Sequence, residues 1–340
     1  MAVEWKNGYS AIYYATVVDP KTWADLNRIE LLGGTISRDY STELVESADL
    51  DCKNYNETQE QWIRVWLDTK QGANSSHTAL FTGLAISPSK TINGQSITET
   101  VQCYSVLKPA QDILLDRGYY APIDTDGGYL IQSLLNCINS PVEISEELSD
   151  NRKLTQSIIA EAGENHLSMV NKILYIMNWR IKIDGTGEVW VGPYSKEPVI
   201  IFDNLDNDMI ETSINYTYDW YDCPNVVRAV MDDRVAIARD DSDTSPLSTV
   251  SRGREIWYEE TDCLLNDKET LDEYAKRRLN ELQRVAAKMS YDRRYHPDVY
   301  PSDVIRIHYP NQGVQGDYMV SSHNIELGYS ARTSEEVVQV

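Results

Sequence analysis

Phenylalanine is nearly missing from this chain, with 2 residues against 22 tyrosines and 8 tryptophans. The aromatic set therefore favours half-wet positions, where a ring packs and its polar edge still meets water or a partner, as on sheets and at interfaces. Cysteine is sparse as well. Cys52, Cys103, Cys137, Cys223 and Cys263 are an odd number, spread singly and without any C-x-x-C pair, which reads as reduced, mostly buried thiols in a cytoplasmically made protein. Positive charge is outnumbered, 31 Lys and Arg against 53 Asp and Glu, for a formal charge of −22 and a pI near 4.6. Tight or sequence-reading nucleic-acid binding rests on Lys and Arg displacing counterions, so it is disfavoured. Nowhere do about 18 apolar residues run together, and the start "MAVEWKNGYSAIYYATVVD" has no basic segment followed by an apolar stretch. Neither a membrane span nor a secretory signal is expected.

What is present is the composition of a folded protein: 41% hydrophobic and 25% charged over 340 residues, long enough for two to four compact units. Residues 1–105 read as β structure. In "QWIRVWLD" Ile63, Val65 and Leu67 share one face and Trp62, Arg64 and Trp66 the other, a stripe open to cross-strand packing, a cation–π ladder, a sugar platform or a protein interface. "LFTGLAISPSKTINGQSITETVQCYSVL" alternates on both sides of Asn93-Gly94, a tight hairpin turn. From 106 to 200 the period turns helical in "GGYLIQSLLNCI" and "NHLSMVNKILYIMNW", then becomes the Gly-turn hairpin "RIKIDGTGEVWVGPY". This suggests an α/β unit inserted between β regions. From 201 to 340 strands return in "SINYTYDW", "NVVRAVMDD" and "GREIWYEE", with "ARDDSDTSPLSTVSRG" between them as a polar, mobile loop. Asn266 with Glu269, or Thr270 with Glu273, opens a helix over 267–289 whose apolar stripe is Leu271, Tyr274, Ala275, Leu279, Leu282, Val285, Ala286 and Met289. A hairpin over 303–327 closes the chain. No clean internal repeat is visible.

Catalytic and metal signals fail one by one. In "HPDVYPSDVIRIHYP" Ile305, Ile307 and Tyr309 point to one side and Val304, Arg306 and His308 to the other, so Arg306 and His308 are solvent-face or interface residues. His296, His308 and His323 are too far apart in sequence for a zinc motif. Ser87-Pro-Ser-Lys90 and Ser149-Asp150-Asn151 match two elements of the β-lactamase set, but K-T-G is absent and Ser87 lies in a β region. "DNLDND", with Asp203, Asp206 and Asp208, has the wrong register for an EF-hand and lacks its glycine. "GTGEVWVG" lacks phosphate-loop spacing. Acidic pairs such as Glu146-Glu147 and Glu259-Glu260 are expected by chance at this composition, and no pair stands out as a glycosidase couple. No catalytic, cofactor or metal residue is assigned. The candidate interface residues are Trp62, Arg64, Trp66, Arg306 and His308.

Taken in order, these pieces resemble the baseplate hub proteins of phage tails and contractile tail-like particles. The resemblance runs through "LFTGLAISPSKTINGQSITETVQCYSVLKPAQD", the insert ending in "NWRIKIDGTGEVWVGPY", "CPNVVRAV", the long helix and "HPDVYPSDVIRIHYPNQGVQGDYMVSSHNIEL". Ser302-Asp303 departs from the Gly-Asp expected in the turn before the last hairpin. The resemblance implies an α+β, mainly β fold with two β-barrel-like domains (1–105 and 201–340), an inserted α/β domain (106–200) and a long amphipathic helix. It also implies a non-enzymatic homotrimer forming a pseudo-sixfold ring that joins a hexameric tail tube protein to a trimeric spike protein, with other baseplate proteins as partners. Such a protein is made in the bacterial host cytoplasm and resides in the tail baseplate. A tail-associated cell-wall hydrolase and a carbohydrate-binding module are the alternatives.

Overall fold

The structure, a computed structural model, describes residues 3–340 apart from 54, 56–58, 94–95, 147–151, 219, 222, 262, 267, 285–286 and 329–331. It is α+β and mainly β. Six antiparallel strands come first: β1 (Ser10–Val18), β2 (Asp25–Asp39), β3 (Glu46–Lys53), β4 (Gln61–Gln71), β5 (Asn74–Asn93) and β6 (Ser96–Ser105). They hydrogen bond in the order β1-β4-β5-β6-β3-β2, and β2 returns to β1, so the ladder closes. Closure sends alternate residues inward. Ala15, Ile36, Leu50, Ile63, Val65, Leu67, Phe81 and Val101 fill the interior, which is the face expected for "QWIRVWLD".

The chain then leaves the barrel for α1 (Lys108–Asp112), β7 (Tyr120–Ala121), α2 (Gly127–Leu135), β8 (Val142–Ile144), β9 (Ile158–Ile159), α3 (His166–Met177), β10 (Trp179–Ile183) and β11 (Val189–Pro193). Asp126 and Asn165 cap α2 and α3 by accepting from Tyr129 N and Ser168 N, satisfying donors that have no partner inside the helix. β10 and β11 form the expected hairpin, with Val189 and Val191 wholly buried. This unit's core includes Val18 and Trp62 from the barrel, so the two share apolar contact.

The remaining elements are β12 (Pro198–Asp203), β13 (Ile210–Tyr218), β14 (Val226–Met231), β15 (Arg234–Arg239), α4 (Thr249–Arg252), β16 (Trp257–Glu260), α5 (Leu271–Arg284), β17 (Ala287–Arg294), β18 (Val304–Tyr309), β19 (Val314–Leu327) and β20 (Arg332–Gln339). β14, β15 and β16 make a small sheet whose Val227, Ala229, Ala236 and Ala238 pack under Leu271, Tyr274, Ala275 and Leu279 of α5. The other six strands run in the order β12-β18-β19-β20-β17-β13 around Phe202, Met289, Tyr291, Ile305, Ile307, Val320 and Val337.

Numbered within their own sets, both groups of six strands have the order 1-4-5-6-3-2. The irregularities coincide as well. The fifth strand of each set has one extra residue against the sixth, between Ala85 and Ser87 in β5 and between Val320 and Ser322 in β19. One difference is that β12 runs parallel to β18, where β1 is antiparallel to β4. A second is that among the described residues no ladder joins β12 to β13, whose connecting turn holds the isolated Asp203–Asn207 bridge, so the second barrel is open there. The two barrels join edge to edge where residues 34–39 of β2 pair with 322–327 of β19.

Some expectations need correction. The helix ends at Arg284 instead of reaching 289, and Ala287–Arg294 is a strand between β13 and β20. Met289 therefore lies in a barrel core, opposite Tyr216 and Val337. The local residues favour a helix, but two flanking strands and an inward Met289-Tyr291-Arg293 alternation override that preference. Val285 and Ala286, Gly94 of the hairpin turn, Glu147 and Ser149-Asp150-Asn151 lie outside the described residues. The polar loop begins inside β15 and includes α4, whose Ser248 cap accepts from Ser251 N. Thr270 and Glu273 form the expected reciprocal cap of α5, with Asn266 N donating to Glu269 one step earlier. Ser302 has φ of +70°, the left-handed conformation that a Gly-Asp turn would supply at less cost.

Candidate functional site

The join between the barrels concentrates buried charge. Arg38 lies on the inward side of β2, and its Nε donates to Glu46 Oε2 at 2.8 Å. Its Nη2 donates to the Leu80 carbonyl, and its Nη1 meets His323 Nε2 of β19 at 3.3 Å. His323 Nε2 must accept there, so the ring is neutral with its proton on Nδ1, which faces Glu335 Oε1 at 3.9 Å. Glu335 is held by Arg293 Nε at 2.9 Å and Nη2 at 2.7 Å, and by the Tyr291 hydroxyl at 2.6 Å. The chain of contacts runs from one barrel to the other without reaching bulk water, since both Glu side chains are 0% exposed.

Burial sets the charge states. It pushes the Glu46 carboxyl up to about 7, outweighing the pull of Arg38. Burial, reinforced by Arg38 and Arg293, holds the His323 imidazole well below its ordinary range. A desolvated acid of this kind can serve as a proton donor. Here its oxygens point into the join, with Oε2 already on Arg38, so it has no access to a substrate. A shallow groove of about 440 Å³ overlies the network, lined in part by Ser37, Asn215, Ser290, Asn324 and Ser334.

A second set of contacts clamps the insert onto both barrels. Arg64 donates to Thr82 Oγ1 at 3.0 Å, Asp25 Oδ2 at 3.1 Å and the Thr186 carbonyl at 3.0 Å. Trp23 Nε1 donates to the same carbonyl. Thr82 Oγ1 donates to Gly185 O at 2.8 Å, so the tip of the β10–β11 hairpin rests on β5. A Cβ at Gly185 would overlap the Ala79 carbonyl, and one at Gly187, where φ is +84°, would lie 2.9 Å from Thr82. On the other barrel Asp303 forms an ion pair with Arg180 Nη2 at 3.2 Å and accepts from Lys182 Nζ at 2.9 Å and Tyr300 N at 3.0 Å. The cleft between α3, α5 and the second barrel holds about 870 Å³. Its Lys172, Arg277 and Arg278 are paired with Glu164, Glu269, Glu281 and Glu260, so it is an internal ion-pair lattice more than an anion site.

These contacts locate the residues singled out from sequence. Trp62, Arg64 and Trp66 share a face of β4, and the chain itself covers much of it. Trp62 is 6% exposed and packs on Trp23, with ring centroids 5.4 Å apart. Trp66 is stacked by His77 at 4.0 Å and donates to Thr16 Oγ1. Trp62 therefore offers no open face to a sugar, and His77 occupies one face of Trp66. Arg306 and His308 are exposed on β18, with Ile305, Ile307 and Tyr309 buried behind them. Arg306 forks onto Asp317 at 2.7 and 2.9 Å, and His308 Nδ1 meets Asp203 Oδ2 at 2.6 Å. Asp203 also accepts from Leu205 N and Asp206 N, so "DNLDND" is a self-bonded turn. Ser87 and Lys90 lie in β5, away from any helix start. Cys52, Cys103, Cys223 and Cys263 are buried and Cys137 is half-buried. Among the described residues no cluster of three or more His, Cys, Asp or Glu is arranged to hold a metal, and no helix is long and apolar enough to cross a membrane.

Neither a protein-family profile nor a curated protein sequence matches the chain. Its fold, in contrast, is shared with solved tail proteins. The tail protein from Neisseria meningitidis MC58 superposes with a TM-score of 0.69 at 13% identity, over 98% of this chain and 97% of that one. The 43 kDa tail protein of prophage MuSo2 from Shewanella oneidensis gives 0.67 at 13% identity, over 96% and 98%. A chain of the Francisella PdpA–VgrG complex gives 0.55 at 8% identity, over 98% of this chain and 58% of that one.

Proposed function

From this shared phage-tail fold, we propose that the protein is a structural hub of a phage-tail or tail-like baseplate. In this reading it is a non-enzymatic homotrimer that joins a sixfold tail tube protein to a threefold spike and contacts other baseplate proteins. The observation that carries the reading is the duplication. One chain contributes two barrels of identical strand order, joined edge to edge, so three copies present six similar barrels to a tube and three chains to a spike. The Francisella chain that shares the fold belongs to a complex of PdpA with VgrG, which supports a role within a multi-protein assembly. The working domains are 1–105, 106–200 and 201–340, the last carrying the β14–β16 and α5 lobe. Its site of action is the tail tip, after synthesis in the host cytoplasm. A net charge of −22 suits a conduit whose wall should not hold DNA.

Two measurements test this. Light scattering should give three times the 38.8 kDa chain mass, and gold-labelled antibody should decorate the tail tip of purified particles. A chain that stays monomeric at high concentration and is absent from particles defeats the proposal.

A further inference from the structure

The join inside the chain leaves a matching pair of edges open elsewhere. Internally, the second strand of barrel two's neighbour, β2, gives its later half to the later half of β19, the fifth strand of the second barrel. The counterparts are β13, second strand of the second barrel, and β5, fifth strand of the first. Pairing with β4 ends at Ala85, and no described strand lies on that side of residues 87–93 of β5. β13 has β17 on one edge and no described strand on the other.

The register transfers without adjustment. Ala85 and Val320 both stand just before the extra residue of the fifth strand, opposite Cys103 and Val337. Those two pair in turn with Ala48 and Met289, and these with Ile36 and Tyr216. The internal pairs are Arg38 with His323, Ile36 with Ile325 and Gly34 with Leu327. Carried across, they set Tyr218 opposite Pro88, Tyr216 opposite Lys90 and Ile214 opposite Ile92. We propose that β13 of one copy adds antiparallel to the free half of β5 in the next copy, in this register, as the contact that closes the ring. This rests on the trimeric hub reading and names its interface.

The side chains suit the pairing. Tyr216 is 49%, Tyr218 58% and Ile92 67% exposed, an expensive arrangement for a chain alone and an ordinary one for cross-strand partners. A tyrosine ring packs on a proline, an ammonium meets an aromatic face, and two isoleucines meet. Glu99 holds Lys90 at 2.9 Å and fixes its stem. Pro88 donates no N–H, which discourages indiscriminate pairing along this edge. The contact is heterologous, and three identical rotations close it.

The test uses the full chain. Ser37 and Asn324, joined by a 3.2 Å side-chain hydrogen bond, are the internal counterparts of Thr217 and Ser89. Cysteines in facing strands at such a pair lie within disulfide range. Mild oxidation of the Ser89→Cys, Thr217→Cys variant should yield covalent trimers on a denaturing gel. The displaced Ser89→Cys, Ser213→Cys variant should stay uncrosslinked. Separately, Tyr216→Asp with Tyr218→Asp should weaken trimerisation at least tenfold while leaving the circular-dichroism spectrum unchanged. A trimer by mass that neither cross-links between 89 and 217 nor responds to the aspartates overturns this interface and leaves the hub reading intact. A strictly monomeric wild type overturns both.

Discussion

At the scale of single residues, Glu46 and His323 in the join between barrels respond to acid in opposite senses. The folded chain keeps a proton on Glu46 up to about pH 7, while the unfolded chain releases it near 4.5, so this group loses stability as pH rises between those values. His323, depressed in the fold, costs stability as pH falls below about 6.5, the value of an exposed imidazole. Across the window the two offset each other. Relative to wild type, His323→Gln should gain stability on acidification from pH 7 to 5 and Glu46→Gln should lose it, each by about 1.4 kcal/mol per unit of pKa difference expressed. Urea melts at several pH values read this directly, and parallel shifts in the two variants would contradict it. The network was legible in part. Arg38 shares strand parity with Ile36, Glu46 with Ala48 and Leu50, His323 with Ile325, and Glu335 with Val337, so a charged residue on the apolar side of an alternating run marks a buried ion pair. Spacing along the chain could not show which charges meet, because Arg38 and His323 are 285 residues apart.

At the scale of elements, the β10–β11 hairpin was readable from "DGTGE" as a turn, but its role was not. The tip is a wedge, held by Thr82, Arg64 and Trp23, with no space for a side chain at Gly185. Gly185→Ala should therefore lower stability by about 1–3 kcal/mol, the usual cost of forcing atoms into a packed contact. The loss should appear as a lower thermal midpoint, whereas an unchanged midpoint would mean that the tip is not seated. The helix and strand around residue 285 show why local reading fails. "RVAAKM" continues a helical pattern, and only partners far away in the chain, β13 and β20, convert its end to a strand. The exposed face of β18 was easier, since Arg306 and His308 alternate with three wholly buried residues.

At the scale of the whole molecule, the duplicated barrel left no trace in the residues. Equivalent positions hold Arg38 and Tyr218, Ile36 and Tyr216, Leu50 and Tyr291, or Cys103 and Val337. Backbone order, register and a shared bulge persist where side chains do not, because a barrel constrains volume and parity more than identity. The long strand β19 serves three neighbours in succession, β18, β20 and β2. During synthesis, then, the first barrel emerges early with residues 34–39 of β2 unpaired on one side, and it must wait for residues 322–327 of β19 to cover them. Such a bare edge invites other nascent chains. A chain stopped at residue 313 should accumulate in the pellet fraction where the full chain is soluble, and a soluble, cooperatively melting fragment would refute this. Arrival of β19 thus doubles as a quality check, since only a chain that has made it hides this adhesive margin.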